Sequence, residues 1–176
     1  AFVSGGSRGI GLAITTRLAT EGADVMISGS QQKNLDAAVA AIAEKSSGKV
    51  LAHASDLIQV AGCEAAFTAH DAAFGRCDIL VHSAGATKGG VFPDQPDADF
   101  QDGFALKFHA AVRLSRLFWP SLLASHGNVV MIVVVPCETN VQSSHECNCT
   151  VNNDQFFVML WFERYVSMQN NLNEHV

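Results

Sequence analysis

Near the start of the chain, Ser4, Gly5, Gly6, Ser7, Arg8, Gly9, Ile10 and Gly11 place four glycines, two hydroxyls and a guanidinium within eight residues. Residues of these types suit one kind of chemistry. Without Cβ atoms the backbone turns sharply and comes close to a ligand, and its exposed amides offer hydrogen bonds and partial positive charge to an anion such as a pyrophosphate. The setting matters as much as the glycines. Apolar Phe2 and Val3 precede them, and Ile10, Ala13, Ile14 and Leu18 follow at spacings of three and four, predicting a helix over 9–21 with Gly22 as its stop. A strand, a glycine turn and a helix in that order are the context in which spaced glycines form a phosphate cradle, beside the plainer reading of a loop that joins strand to helix.

The elements that must position this turn follow in alternation. Val25, Met26 and Ile27 form a short apolar run, and Leu35, Ala38, Val39 and Ile42 restore helical spacing before Gly48. Residues 50–55 predict a third strand, 59–74 a helix rich in alanine, and 78–81 a fourth strand. After a loop over about 85–96, a long helical pattern over 97–125 leads to the unbroken run Val129, Val130, Met131, Ile132, Val133, Val134 and Val135. Short, wholly apolar strands separated by helices are what a parallel sheet covered on both faces requires. The expected fold is α/β, a doubly wound parallel sheet of Rossmann type, with a ligand at the carboxyl ends of the strands. Residues 1–135 form the expected dinucleotide-binding domain, and 136–176 a divergent tail packed on it or partly disordered.

Composition narrows the function. Hydrophobic residues make up 48% and charged residues 16%, which suits a packed core. Net charge is −6 with no basic run, so neither nucleic acid nor an anionic membrane is an expected partner. Cys63, Cys77, Cys137, Cys147 and Cys149 are an odd set, pointing to a reducing cytoplasm without disulfides. No apolar run reaches the roughly 18 residues of a membrane span, and no signal peptide is evident. The chain opens with Ala1 and a short first strand, as a fragment would.

Further motifs follow the glycine turn. Gly5, Gly9 and Gly11, with Ile10 between the last two, resemble the Thr/Ser-Gly-x-x-x-Gly-Ile-Gly pattern of short-chain dehydrogenases/reductases. Asp56 and Leu57 are similar to that family's acidic-apolar pair at the adenine ring. Asp78, Ile79, Leu80, Val81, His82, Ser83, Ala84 and Gly85 resemble its Asp-Ile-Leu-Val-Asn-Asn-Ala-Gly stretch, with His82 and Ser83 in place of two asparagines. The resemblance implies hydride transfer between a nicotinamide cofactor and a small carbonyl or alcohol, and pairing of chains through the helix over 97–125. It assigns cofactor binding to Gly5, Ser7, Arg8, Gly9, Ile10, Gly11, Ser30, Asp56, Leu57, His82, Ala84 and Gly85. Alternatives stand beside three of these: a solvated loop charge for Arg8, a loop or cap carboxylate for Asp56, and a histidine satisfied by backbone for His82. Cofactor choice turns on the end of the second strand, where Gly29 or Ser30 replaces the acid that would accept NAD's ribose hydroxyls. With Arg8 placed to meet an extra phosphate, NADP is favoured over NAD.

The family's catalytic groups are not found. Counted back from Pro120 along the long helix, its asparagine position falls on Lys107, and counted seven onward from Gly127 into the fifth strand, its serine position falls on Val134. The one tyrosine, Tyr165, is followed four places on by Gln169 rather than lysine. A glutamine supplies no charge to lower a phenol's pKa. His145, Cys147 and Cys149 lack the ligand pairs of a zinc site. Seven asparagines and one of the chain's eleven basic residues, Arg164, lie in 136–176, and only the apolar run over 156–162 suggests an element there, strand or helix. Two functions are carried forward: an oxidoreductase with impaired catalysis, and a catalytically silent nucleotide-binding or interaction protein.

Overall fold

The computed structural model describes residues 1–85, 94, 96–136 and 156–163, with 133–136 and 156–163 described as backbone alone. Strand and helix alternate as β1 (Phe2–Ser4), α1 (Gly9–Thr20), β2 (Val25–Gly29), α2 (Gln32–Ala43), β3 (Val50–Ala54), α3 (Val60–Phe74) and β4 (Ile79–His82). The helix expected over 97–125 is interrupted: α4 (Asp97–Phe104) and α5 (Ala110–Ser125) flank a π-helical turn over Ala105–His109. Then come β5 (Asn128–Pro136) and β6 (Phe156–Glu163), so the apolar run left open between strand and helix is a strand.

The sheet order is β3-β2-β1-β4-β5-β6. The first five strands are parallel, and β6 pairs antiparallel with β5, Val134 facing Val158 in register. Chain direction across the sheet reverses between β1 and β4, where the connection must cross over, so the crevice of a doubly wound fold opens above their carboxyl ends.

Strand side chains alternate between faces, and here both faces are buried. Phe2, Met26 and Leu80 join Leu114 and Phe118 in one core. Val3, Val25, Ile27 and Val81 join Leu35, Ala38 and Ile42 in the other. The first core is aromatic at its centre. The Phe118 ring lies 4.9 Å from Phe2, 5.1 Å from Phe67 and 5.0 Å from His70, centroid to centroid. Helix ends are set locally: α1 stops before Gly22 at φ 89°, and α3 is capped by Gly75 at φ 61°.

Removing the central ring should leave a cavity that these neighbours cannot close. Phe118→Ala is expected to lower unfolding free energy by about 3–5 kcal/mol, whereas Leu123→Ala, on the exposed face of the same helix, should stay within about 0.5 kcal/mol. Urea titration read by circular dichroism measures both.

Candidate functional site

At the carboxyl edge of the sheet the chain leaves β1 through Ser4 and Gly5. The Gly5 amide donates to the Ser28 carbonyl at 2.7 Å, prolonging the β1–β2 ladder past its last strand residue. The Ser4 hydroxyl donates to the Val81 carbonyl at 3.2 Å and accepts from the Ser83 and Ala84 amides at 3.2 and 3.3 Å. One buried side chain thereby fixes the ends of β1 and β4 against each other. Gly5 has φ 71°, and a Cβ there would lie 2.7 Å from the Ala84 Cα, so the contact admits only glycine. Gly11 is close-packed in a second way, since a Cβ on it would overlap the Gly5 carbonyl.

Gly9 differs from both. Its φ is 55°, and a Cβ there would meet nothing within 4 Å, so the space above the start of α1 is open. Helix α1 has no side-chain cap and no acidic residue in its first turn. Its first amides are left for a ligand, and the positive end of the helix dipole is not offset. An anionic phosphate fits that position.

These segments surround a cavity of about 360 Å³, within the range of small-molecule sites. Of the residues assigned from sequence, Gly5, Ser7, Arg8, Ile10, Ser30, Asp56, Leu57, Ala84 and Gly85 line it. Asp56 both lines the cavity and accepts the Ile58 amide at 3.1 Å through its carboxylate. Arg113 donates to the Ile58 carbonyl at 2.7 Å and ties this loop to α5. Gly9 and Gly11 shape the turn without lining the cavity.

His82 is placed elsewhere. Its ring is buried beside α5, with Nε2 2.9 Å from the Ser115 hydroxyl and Nδ1 without a partner among the described residues. Burial lowers its pKa from 6.5 to about 4, and the same cause holds buried His70 at about 4. Asn34, Ser55, Ser83, Leu106, Lys107 and Ile132 line the cavity without having been assigned to the site from sequence. Ser83 and Lys107 had a signal, as replacements within recognised motifs. Asn34 had none, because it reaches the crevice only once the start of α2 is packed beside β2.

Among the described residues no group of histidine, cysteine and acidic side chains could hold a metal, and no helix is long and apolar enough to cross a membrane. Tyr165, Gln169, His145, Cys147 and Cys149 lie outside the described residues. Val134 is described in its backbone alone.

A sheet reversal over a glycine turn, with a helix start open to phosphate, makes this a Rossmann-type domain, and comparison with known proteins places it. The family model for short chain dehydrogenases matches residues 1–145, and the chain belongs to that family. D-beta-hydroxybutyrate dehydrogenase of Cupriavidus necator is 32% identical over 123 residues, covering 69% of this chain and 47% of that protein. The crystal structure of L-sorbose reductase from Gluconobacter frateurii, complexed with NADPH and L-sorbose, superposes with a TM-score of 0.68 at 33% identity, over 73% of this chain and 49% of that one. A metagenomic short-chain oxidoreductase in complex with NADP gives a TM-score of 0.67 at 34% identity, over 73% and 59%. The chain spans about half the length of the curated relatives it matches.

The buried histidines carry a pH signature. Because their pKa is depressed on folding, the unfolded chain binds more protons between about pH 4 and 6.5. Their stabilising contribution is complete above 6.5 and is lost as pH falls towards 4, by up to about 1.4 kcal/mol per pH unit for each ring. The urea midpoint should fall between pH 7 and 4.5, and His82→Gln should flatten that fall. A midpoint independent of pH over this window would contradict the burial assigned to them.

Proposed function

We propose that this chain binds NADP(H) in the crevice above β1 and β4, as the cofactor portion of an oxidoreductase acting on a small carbonyl or alcohol. The nicotinamide of the bound cofactor supplies or accepts the hydride. The observation that carries the reading is a cavity of about 360 Å³ whose wall brings Gly5, Ser7, Arg8 and Ile10, around the start of α1, together with Asp56, Leu57, Ala84 and Gly85.

Preference for NADP over NAD is supported by the far end of the cavity. Arg8 and Ser30 line it together, and the residues leaving β2 are Gly29, Ser30 and Gln31, with no carboxylate among them. A guanidinium beside a hydroxyl suits a phosphate on the adenosine ribose, and an acid there would repel it. Within these 176 residues the single tyrosine is not followed by a lysine at the fourth place. We therefore assign this chain cofactor binding with little or no turnover of its own. The odd cysteine set, with Cys63 and Cys77 buried as free thiols, supports a reducing cytoplasm.

Self-association through the interrupted helix is supported by its surface. Phe104 and Phe108, four residues apart, are 62% and 54% exposed, whereas Leu114 and Phe118 further along are core residues at 0%. An exposed pair of this kind suits an apolar contact with a second copy. Phe104→Glu with Phe108→Glu should shift the sedimenting species to monomer without lowering the urea midpoint.

Calorimetric titration tests the cofactor reading. NADPH should bind at least about 10-fold tighter than NADH, the ratio expected of one charge-assisted contact to the added phosphate. Arg8→Ala should bring the two affinities together, and Gly9→Asp should remove both while the chain stays folded. Equal affinity for the two in the unaltered chain would overturn the NADP assignment, and binding of neither would overturn the cofactor reading.

A further inference from the structure

The π-helical turn over Ala105–His109 lies at the cavity wall, where it presents Leu106 and Lys107. A π turn closes i to i+5 hydrogen bonds and so rotates the residues it contains relative to a regular helix. Lys107 then runs along Gly85, three residues past the end of β4. A Cβ on Gly85 would lie 2.8 Å from the Lys107 Cε, 3.2 Å from Cγ and 3.6 Å from Cδ, and these three are its nearest atoms. The missing side chain of Gly85 is the space through which the lysine stem passes.

The strand order assigns this lysine to one half of the crevice. Gly85 follows β4, and Ile132 of β5 lines the cavity beside it. Arg8, Ser30 and Asn34 line the part above β1 and β2, on the other side of the reversal. The cavity therefore carries one cation in each half. Its one acidic lining residue, Asp56, follows β3 on Arg8's side. Among the described residues Lys107 pairs with no carboxylate. An ammonium on a flexible stem is a compact charge with three donors, suited to a phosphate oxygen approached from any direction.

We propose that Lys107 is a second phosphate-binding cation, which holds the phosphate of the nicotinamide mononucleotide half while Arg8 serves the adenosine half. Gly85 is its positioning residue, kept without a side chain so that the lysine stem can cross. The inference rests on the dinucleotide reading above and adds to it a division of labour between two charges.

Two half-ligands separate the roles. NADPH binding is followed by its fluorescence and by calorimetry, and nicotinamide mononucleotide and 2′,5′-ADP are used to displace it. Lys107→Met keeps the stem and removes the charge. It should weaken NADPH about 10-fold, weaken nicotinamide mononucleotide by a similar factor, and leave 2′,5′-ADP unchanged. Arg8→Ala should give the reverse pattern. Gly85→Ala should weaken nicotinamide mononucleotide in the unaltered chain and add nothing in the Lys107→Met background, since the two act through one side chain. Unchanged NADPH affinity in Lys107→Met would overturn the proposal, as would equal losses for both half-ligands. If nicotinamide riboside, which lacks the phosphate, loses as much affinity as the mononucleotide, the phosphate assignment falls. Failure of the unaltered chain to bind NADPH would instead defeat the dinucleotide reading, and this inference with it.

Discussion

The end of β1 and the end of β4 approach so closely that the backbone of one occupies the side-chain space of the other. Gly5 and Ala84 meet with no room for a Cβ, and the Ser4 hydroxyl bridges the gap with three hydrogen bonds. This contact sits where the sheet reverses its order, so it sets the width of the crevice above it. Everything that lines the cavity is positioned relative to that junction: the glycine turn on one side, Ala84 and Gly85 on the other, and the start of α1 between them. The glycines act differently because the constraint acts differently on each. Gly5 and Gly11 are demanded by contact, whereas Gly9 is demanded by a left-handed φ and by the need to leave open space.

Much of this was legible in the sequence, for identifiable reasons. The central strands β1, β2 and β4 are short and mostly apolar, because both faces of the sheet are covered there, and the helices between the strands keep one apolar stripe. The glycine turn was legible because its residues are local: strand, turn and helix start lie within a dozen positions. What could not be read is what depends on distant packing. His82 could be seen near a strand end, but its partner Ser115 is 33 residues away on α5. The apolar run in the tail fitted strand and helix equally, and its pairing with β5 decides the matter. Asn34 enters the crevice only through the placement of α2.

Lys107 lies between these cases. Its position in the long helix marked it as a replacement for an asparagine, and the helical period gave no sign that a π turn interrupts the regular helix there. Nor could spacing reveal that Gly85, 22 residues earlier, has no side chain where the lysine stem passes. Both motifs were visible separately, and their contact belongs to the fold. Charge in the crevice follows the same logic. Arg8 and Lys107 are far apart in sequence and share a cavity because the β1–β4 junction brings their halves together, which gives an acidic chain of net charge −6 a local excess of positive charge at one edge.

The central claim is that the carboxyl edge at this junction is a dinucleotide site. Amide chemical shifts recorded while NADPH is titrated into the ¹⁵N-labelled chain test it most directly. The account predicts the largest perturbations at Gly5, Arg8, Gly9 and Ile10 and at Ala84 and Gly85, with the amides at the opposite, amino-terminal edge of the sheet unmoved. Perturbations confined to other surfaces, or none at saturating NADPH, would contradict it.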